Sequence, residues 1–207
     1  MIARRMMTPL RRLLTSAVLL LPALALAQTR VATGASQRAG QQEEWRTRLN
    51  QQLQLMGHRN WIAVVDSAYP LQTSPGVETI ETNGDQLQVV QTVHDQIAKA
   101  KHVRPIIFTD AELKLVPEAD AKGVTAYREA LTRLLSKTEA DKSDNPEPQS
   151  LPHEEIISKL DEAGKTFHIL ILKTTLTIPY TSVFIRLDCG YWSADAEKRL
   201  RAAMAAH

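Results

Sequence analysis

The sequence predicts an α/β domain in which helices pack on a central sheet. Short runs of branched apolar residues at 61–65, 105–109 and 167–172 have the length of buried strands. Stretches with apolar residues three and four positions apart lie between them and predict amphipathic helices. Strands that alternate with such helices are typical of layered α/β folds.

The elements follow one another without any internal repeat. The predicted helices span residues 43–56, 86–101, 125–135, 153–163 and 194–206. The predicted strands span residues 61–65, 77–80, 105–109, 167–172 and 183–187, with a further strand or a continuation at 170–176. Gly57 is expected to end the first helix, and Gly164 the fourth.

The N-terminus predicts an export signal at residues 1–27. Four arginines precede an apolar stretch, which ends in the small-x-small sequence Ala25-Leu26-Ala27. The stretch is short for a membrane span, so we expect cleavage and a mature chain that begins near Gln28, in the periplasm or secreted. An uncleaved anchor is the alternative. Residues 28–42 are small and polar and predict a flexible tether, which the domain follows at 43–207.

Composition limits the possible partners. The leader holds four of the 25 Lys and Arg residues and no acid, so the mature chain has 21 basic against 23 acidic residues and a net charge of −2. It has no basic stripe and few aromatic residues, so nucleic acid is not an expected partner. After cleavage no membrane partner is expected. Cys189 is the single cysteine, which excludes an internal disulfide; we expect it to be buried, with an intermolecular bridge or a reactive thiol as alternatives.

Residues 136–150 interrupt the pattern of elements. The stretch is charged and carries Pro146 and Pro148. It predicts a solvated polar loop inserted in the domain, because the helix and strand pattern resumes directly after it.

Two residues around the first strand are candidates for ligand binding. His58 follows the first helix, and Asp66 closes the strand 61–65, at the end where open α/β sheets bind ligands. Their spacing predicts that both side chains reach one small polar molecule. The alternatives are that His58 caps the preceding helix and that Asp66 forms an Asx turn before Pro70.

Three motifs occur in an order that resembles one known family. They are Gly57-His58, Asp66-Ser67-Ala68-Tyr69-Pro70, and Tyr180-Thr181-Ser182 before the last apolar strand. Over residues 49–192 the chain resembles the D-ribose pyranase and L-fucose mutarotase family. The resemblance implies a single layered α/β domain of that type, a monosaccharide substrate, no cofactor, and ring-shaped homo-oligomers with sites shared between neighbours.

The resemblance also implies roles for individual residues. His58 would be the general acid/base, because an imidazole can take a proton from the anomeric hydroxyl and return one near neutral pH. Asp66, His153, Tyr180 and Ser182 would bind the sugar. Ser182 stands where the family usually has asparagine, which leaves the sugar preference open. For His153 the alternative is that its ring caps the helix that it begins.

Other classes of function lack their characteristic residues. His58, Asp66, Glu112 and His153 are metal-ligand types, but their spacing matches no strong metal motif. The sequence has no glycine-rich phosphate loop and no Gly-x-Ser-x-Gly elbow. The predicted function is therefore a cofactor-free sugar mutarotase or pyranase. The alternative is a non-catalytic carbohydrate-binding or structural protein of the envelope on the same fold.

Overall fold

The structure is a computed structural model, and it describes residues 40, 44–140 and 146–206. The predicted export signal and nearly all of the predicted tether lie outside the described residues. Within the described ranges, no helix is both long and apolar enough to cross a membrane.

The strands of the described chain form one mixed sheet. They are β1 (Trp61–Val65), β2 (Val77–Glu81), β3 (Val103–Asp110), β4 (Gln149–Leu151), β5 (Ile169–Lys173) and β6 (Val183–Cys189). Their spatial order is β2-β5-β1-β6-β3-β4. Strand β6 is antiparallel to both neighbours, and every other pairing is parallel. Five strands therefore end at the same edge at which β6 begins, and we call this the carboxyl edge; the other is the amino edge.

Helices cover both faces of the sheet. They are α1 (44–55), α2 (Gln86–Lys99), α3 (Val124–Ala140), α4 (His153–Gly164) and α5 (Ala194–Ala205), with a 3₁₀ helix at Ala111–Lys114. Ile62 and Val64 of β1 pack into a core with α1, α2 and α3, whereas Trp61, Ala63 and Val65 pack under α4. Burial on both faces explains why β1 is apolar throughout, as strands of mostly parallel sheets are. The α/β class predicted from the sequence is confirmed.

The bounds predicted for the polar loop, 136–150, are wrong at both ends. Helix α3 continues to Ala140, and β4 already begins at Gln149. Strand β4 forms because its backbone pairs with the end of β3, where Phe108 lies beside Gln149. This non-local pairing outweighs the proline-rich local composition, and Pro148 precedes an edge strand, where proline is tolerated.

Two details of the turns also differ from the expectation. Helix α1 ends at residue 55, two residues before Gly57, and Arg59 has a positive φ, of 78°. Residues 174–176 continue as a loop after β5, so the alternative of a further strand there is wrong. Helix α5 is present as predicted, but it contributes no buried residue.

Candidate functional site

The carboxyl edge brings together three of the five predicted site residues. Asp66 follows β1, His153 follows β4, and Tyr180 precedes β6, so the strand directions place them at one edge. Together with the turn at Tyr69 and Pro70 they line a cavity of about 380 Å³. This volume lies in the range of small-molecule sites.

Asp66 forms the Asx turn that was considered from the sequence, and it also lines the cavity. Its Oδ1 accepts a hydrogen bond of 2.8 Å from the backbone N–H of Ala68, which is the Asx turn. Its Oδ2 has no hydrogen-bond partner among the described residues, and the side chain lines the cavity. One carboxylate oxygen therefore shapes the turn, and the other is available to a ligand.

His153 is fixed at both its backbone and its ring. Its backbone N–H donates to the carboxylate of Glu112, at 3.0 and 3.1 Å from the two oxygens. Its ring Nδ1 lies 3.0 Å from Oδ1 of Asp110. The N-cap residue of α4, Pro152, makes no side-chain hydrogen bond to the helix. The Glu112 carboxylate instead accepts the hydrogen bond from the first backbone N–H of α4. The alternative that the His153 ring caps the helix is therefore wrong.

Tyr180 has a backbone conformation that a tyrosine seldom adopts. Its φ is 57°, and the residue is 41 % exposed. Its ring meets the ring of His153 edge-on, with centroids 5.7 Å apart. The following carbonyl, that of Thr181, accepts buried hydrogen bonds from the Tyr127 hydroxyl at 2.8 Å and from the Gln86 amide. These bonds offset the strain of about 1–2 kcal/mol that a left-handed residue carries.

Ser182 does not reach this cavity. It is 2 % exposed, directly before β6, and it is not among the residues that line the cavity. The geometry within one chain gives no support to its predicted contact with the ligand.

His58 lies at the opposite edge of the sheet. It precedes β1, and its Nδ1 lies 3.1 Å from Oδ1 of Asp188, near the end of β6. The prediction that His58 and Asp66 of one chain reach the same molecule is therefore wrong. At about 3.3 Å per residue, the five residues of β1 keep the two side chains roughly 16 Å apart. His58 instead lines a second cavity of about 610 Å³, with Arg59, Lys159 and Arg186 among its other walls.

The alternative role of His58 as a helix cap is not seen either. The Nε2 atom of His102 lies 3.1 Å from the carbonyl oxygens of Leu53 and Met56 at the end of α1. His102 therefore provides the contact that was considered for His58, and the 56 % exposed His58 side chain is paired with Asp188.

Asp188 pairs with His58 and also with Arg104, near the start of β3. Its Oδ2 accepts hydrogen bonds from Nε and Nη2 of Arg104 at 3.1 and 2.7 Å. Burial alone would raise the pKa of Asp188. The hydrogen bonds from Arg104 and from the Cys189 backbone, with the charge of Arg104, outweigh burial and lower the pKa below its ordinary value. Cys189 itself is a half-buried free thiol and not the buried one expected.

Asp110 is the site residue that the sequence reasoning missed. It ends β3 at the carboxyl edge, and its side chain has no exposed surface. Burial raises its pKa above the ordinary value, and the hydrogen bond with His153 opposes this rise. The signal for it was present, since Asp110 closes an apolar strand just as Asp66 does. Among the described residues, no three His, Cys, Asp or Glu side chains are arranged to hold a metal ion.

Comparison with protein-family models and with curated protein sequences gives no match. Solved structures do resemble the chain. RbsD of Bacillus subtilis, solved with D-ribose, is 17 % identical, over 68 % of this chain and 91 % of its own, with a TM-score of 0.47. FucU of Bifidobacterium longum is 11 % identical, over 67 % and 93 %, with a TM-score of 0.44. A fucose mutarotase of Streptococcus pneumoniae, solved with L-fucose, is 16 % identical, over 67 % and 89 %, with a TM-score of 0.40.

Proposed function

We propose that the protein is a cofactor-free sugar mutarotase or pyranase, which interconverts ring or anomeric forms of a monosaccharide. The observation that carries the proposal is the cavity at the carboxyl edge, where Asp66, His153 and Tyr180 converge. These residues stand at the positions of the pyranase and mutarotase motifs that the sequence resembles.

The cavity offers groups that suit a sugar. The free Oδ2 of Asp66 accepts hydrogen bonds from hydroxyl groups, and the Tyr180 hydroxyl both donates and accepts. The Tyr180 ring can cover the apolar face of a sugar ring. An imidazole can move protons in both directions near neutral pH, so the reaction requires no redox group.

The acid/base role of His58 requires a second subunit. In its own chain His58 lies at the amino edge, away from Asp66, and the side chain is 56 % exposed. We therefore propose a homo-oligomer in which the His58 edge of one chain meets the cavity of its neighbour. Such a head-to-tail contact uses two different surfaces and closes into a ring when the rotation allows it.

The proposed location is the periplasm or the exterior, because the leader has the order of a cleavable signal. An envelope protein has no cytoplasmic sugar kinase to supply. This makes non-catalytic carbohydrate binding the main rival function, and the test must separate exchange from binding.

Exchange NMR on D-ribose and L-fucose tests the proposal in one sample. The wild-type protein should accelerate interconversion of the ring forms, and His58→Ala should lower the rate by roughly 10²-fold or more. His168→Gln is the matched control, since His168 lines neither cavity, and it should leave the rate unchanged. Wild-type protein that binds sugar without accelerating exchange would support the binding module instead.

A further inference from the structure

Asp110 has an environment that fold stability does not explain. Its side chain is fully buried, and Oδ1 contacts the ring of His153, yet Oδ2 has no hydrogen-bond partner among the residues that the structure describes. A buried carboxylate oxygen without a hydrogen-bond partner destabilises a fold. Burial also raises the pKa of Asp110, because it disfavours the ionised form of the carboxyl group. A carboxylate kept in such a place, in contact with a histidine that lines the cavity, suggests a role in the chemistry of the site.

The contact decides which ring nitrogen of His153 carries the proton. An ionised Asp110 accepts hydrogen bonds and cannot donate one, so Nδ1 must be the protonated nitrogen. Nε2 then holds a lone pair. No hydrogen bond to Nε2 is found within the described residues, and the side chain is 28 % exposed where it lines the cavity. Asp110 and the edge-on Tyr180 ring together restrict the orientation of the imidazole.

We propose that Asp110 is a positioning residue, which holds His153 as the Nδ1–H tautomer and so makes Nε2 a proton acceptor for a sugar hydroxyl. The inference rests on the proposed function and adds to it, because His153 then transfers a proton as well as binding the sugar. The other charged groups that act on Asp110 are Glu112 and Asp66.

The proton balance of ring opening fits two imidazoles. Nε2 of His153 takes the proton of the anomeric hydroxyl, and the oxygen electron pair forms the carbonyl. The bond from the anomeric carbon to the ring oxygen breaks, and its electron pair goes to the ring oxygen. That oxygen takes a proton from the His58 imidazolium of the neighbouring subunit, which Asp188 stabilises. The ionised Asp110 stabilises the His153 imidazolium in the same way, and closure of the other anomer reverses each transfer.

The test is nitrogen-15 NMR of histidine-labelled protein, combined with sugar exchange. Wild-type His153 should show the Nδ1–H tautomer. In Asp110→Asn the amide can donate to Nδ1, so the tautomer should shift toward Nε2–H, and exchange should fall by roughly 10²-fold. The matched control is Glu112→Gln, which removes a nearby charge that contacts the backbone of His153 and not its ring. Glu112→Gln should leave His153 in the Nδ1–H tautomer.

Each outcome has a defined meaning. Wild-type His153 in the Nε2–H form, or exchange that Asp110→Asn leaves unchanged, overturns the proposal and leaves the mutarotase function standing. The tautomer of His153 in the wild-type protein tests the proposal even if Asp110→Asn fails to fold. A wild-type protein that binds sugar without exchange overturns the proposed function. In that case the tautomer of His153 still tests the positioning role of Asp110. The Nδ1–H form supports this role, and the Nε2–H form overturns it.

Discussion

His58 precedes and Asp66 follows the same strand, β1, so the two side chains lie at opposite edges of the sheet. Although the two residues are close in sequence, the strand between them separates them in space, because an extended strand covers about 3.3 Å per residue. Residues that do meet at the cavity come from distant parts of the chain: Asp66, His153 and Tyr180. A catalytic role for His58 thus depends on assembly.

Complementation between subunits tests this dependence. His58→Ala and His153→Ala should each abolish most exchange, but mixing and reassembling the two variants should restore part of it. If each site takes its two histidines from different subunits, about a quarter of the sites in random rings are intact. Light scattering of the wild type should show several subunits. No recovery in mixed oligomers, or an active monomer, would contradict a shared site.

Asp66→Asn should separate the structural role of this residue from its binding role. The asparagine oxygen can accept from Ala68 as Oδ1 does now, so we expect the free energy of unfolding to change by no more than about 0.5 kcal/mol. The charge on the cavity side is lost, and sugar affinity should fall about tenfold, as for a hydrogen bond to a charged group. NMR titration measures the affinity and chemical denaturation the stability.

Asp66→Ala is the matched comparison, because it removes the turn as well as the charge. It should lower both sugar affinity and stability. Equal sugar affinity in Asp66→Asn and wild type would leave Asp66 as a turn residue only.

The fold was predictable where local pattern and burial agree. Trp61–Val65 is apolar at every position because both faces of β1 are covered. Strand β4 was missed, since it depends on pairing with β3, more than 40 residues earlier in the sequence. The same pairing brings His153 beside Asp110, so local sequence could not reveal that contact. Asp66 could be placed at the carboxyl edge because it closes a recognisable strand. Tyr180 was predicted from the family resemblance, because it stands directly before the last apolar strand.

Tyr180→Gly should raise the stability of the fold and abolish sugar binding. Glycine adopts a positive φ without strain, so the free energy of unfolding should rise by about 1 kcal/mol unless the lost contact with His153 offsets the gain. Sugar binding should be lost with the ring and the hydroxyl. Tyr180→Phe isolates the hydroxyl and should weaken binding by about 1 kcal/mol.

A control for the backbone effect is Asn83→Gly. Asn83 also has a positive φ, of 49°, and lies outside the cavity. The variant should gain less stability, because asparagine tolerates this conformation, and it should bind sugar as the wild type does. Unchanged sugar binding in Tyr180→Gly would remove Tyr180 from the site.

Export should leave a mature chain that begins near Gln28. The leader has a basic start, an apolar stretch and the cleavage sequence Ala25-Leu26-Ala27. Intact-mass analysis of protein from the envelope fraction should therefore show the loss of the first 27 residues. Replacing Ala25 and Ala27 with bulky residues should block cleavage and serves as the control. A full-length cytoplasmic species would contradict export.

The two aspartate–histidine pairs should respond to pH in opposite directions. Burial raises the pKa of Asp110, so the folded state holds its proton more tightly than the unfolded state does. The fold then loses stability as the pH rises from about 3.9, the unfolded value, through the raised pKa. Asp110→Asn should remove this loss and so raise the free energy of unfolding at pH 7. The gain should vanish at a pH below the unfolded value, where Asp110 is protonated in both states.

Asp188 provides the matched variant of opposite sign. Its pKa is lowered despite its burial, because Arg104 and the backbone of Cys189 donate to the carboxylate. Its contribution to stability is present above the unfolded value and is lost as the pH falls through the folded pKa. Asp188→Asn should therefore lower the free energy of unfolding at pH 7 by about 1–3 kcal/mol, and the difference should shrink on acidification. Denaturation of both variants between pH 3 and pH 7 measures these slopes. A destabilised Asp110→Asn at pH 7 would mean that the hydrogen bond with His153 outweighs the cost of burying the carboxylate.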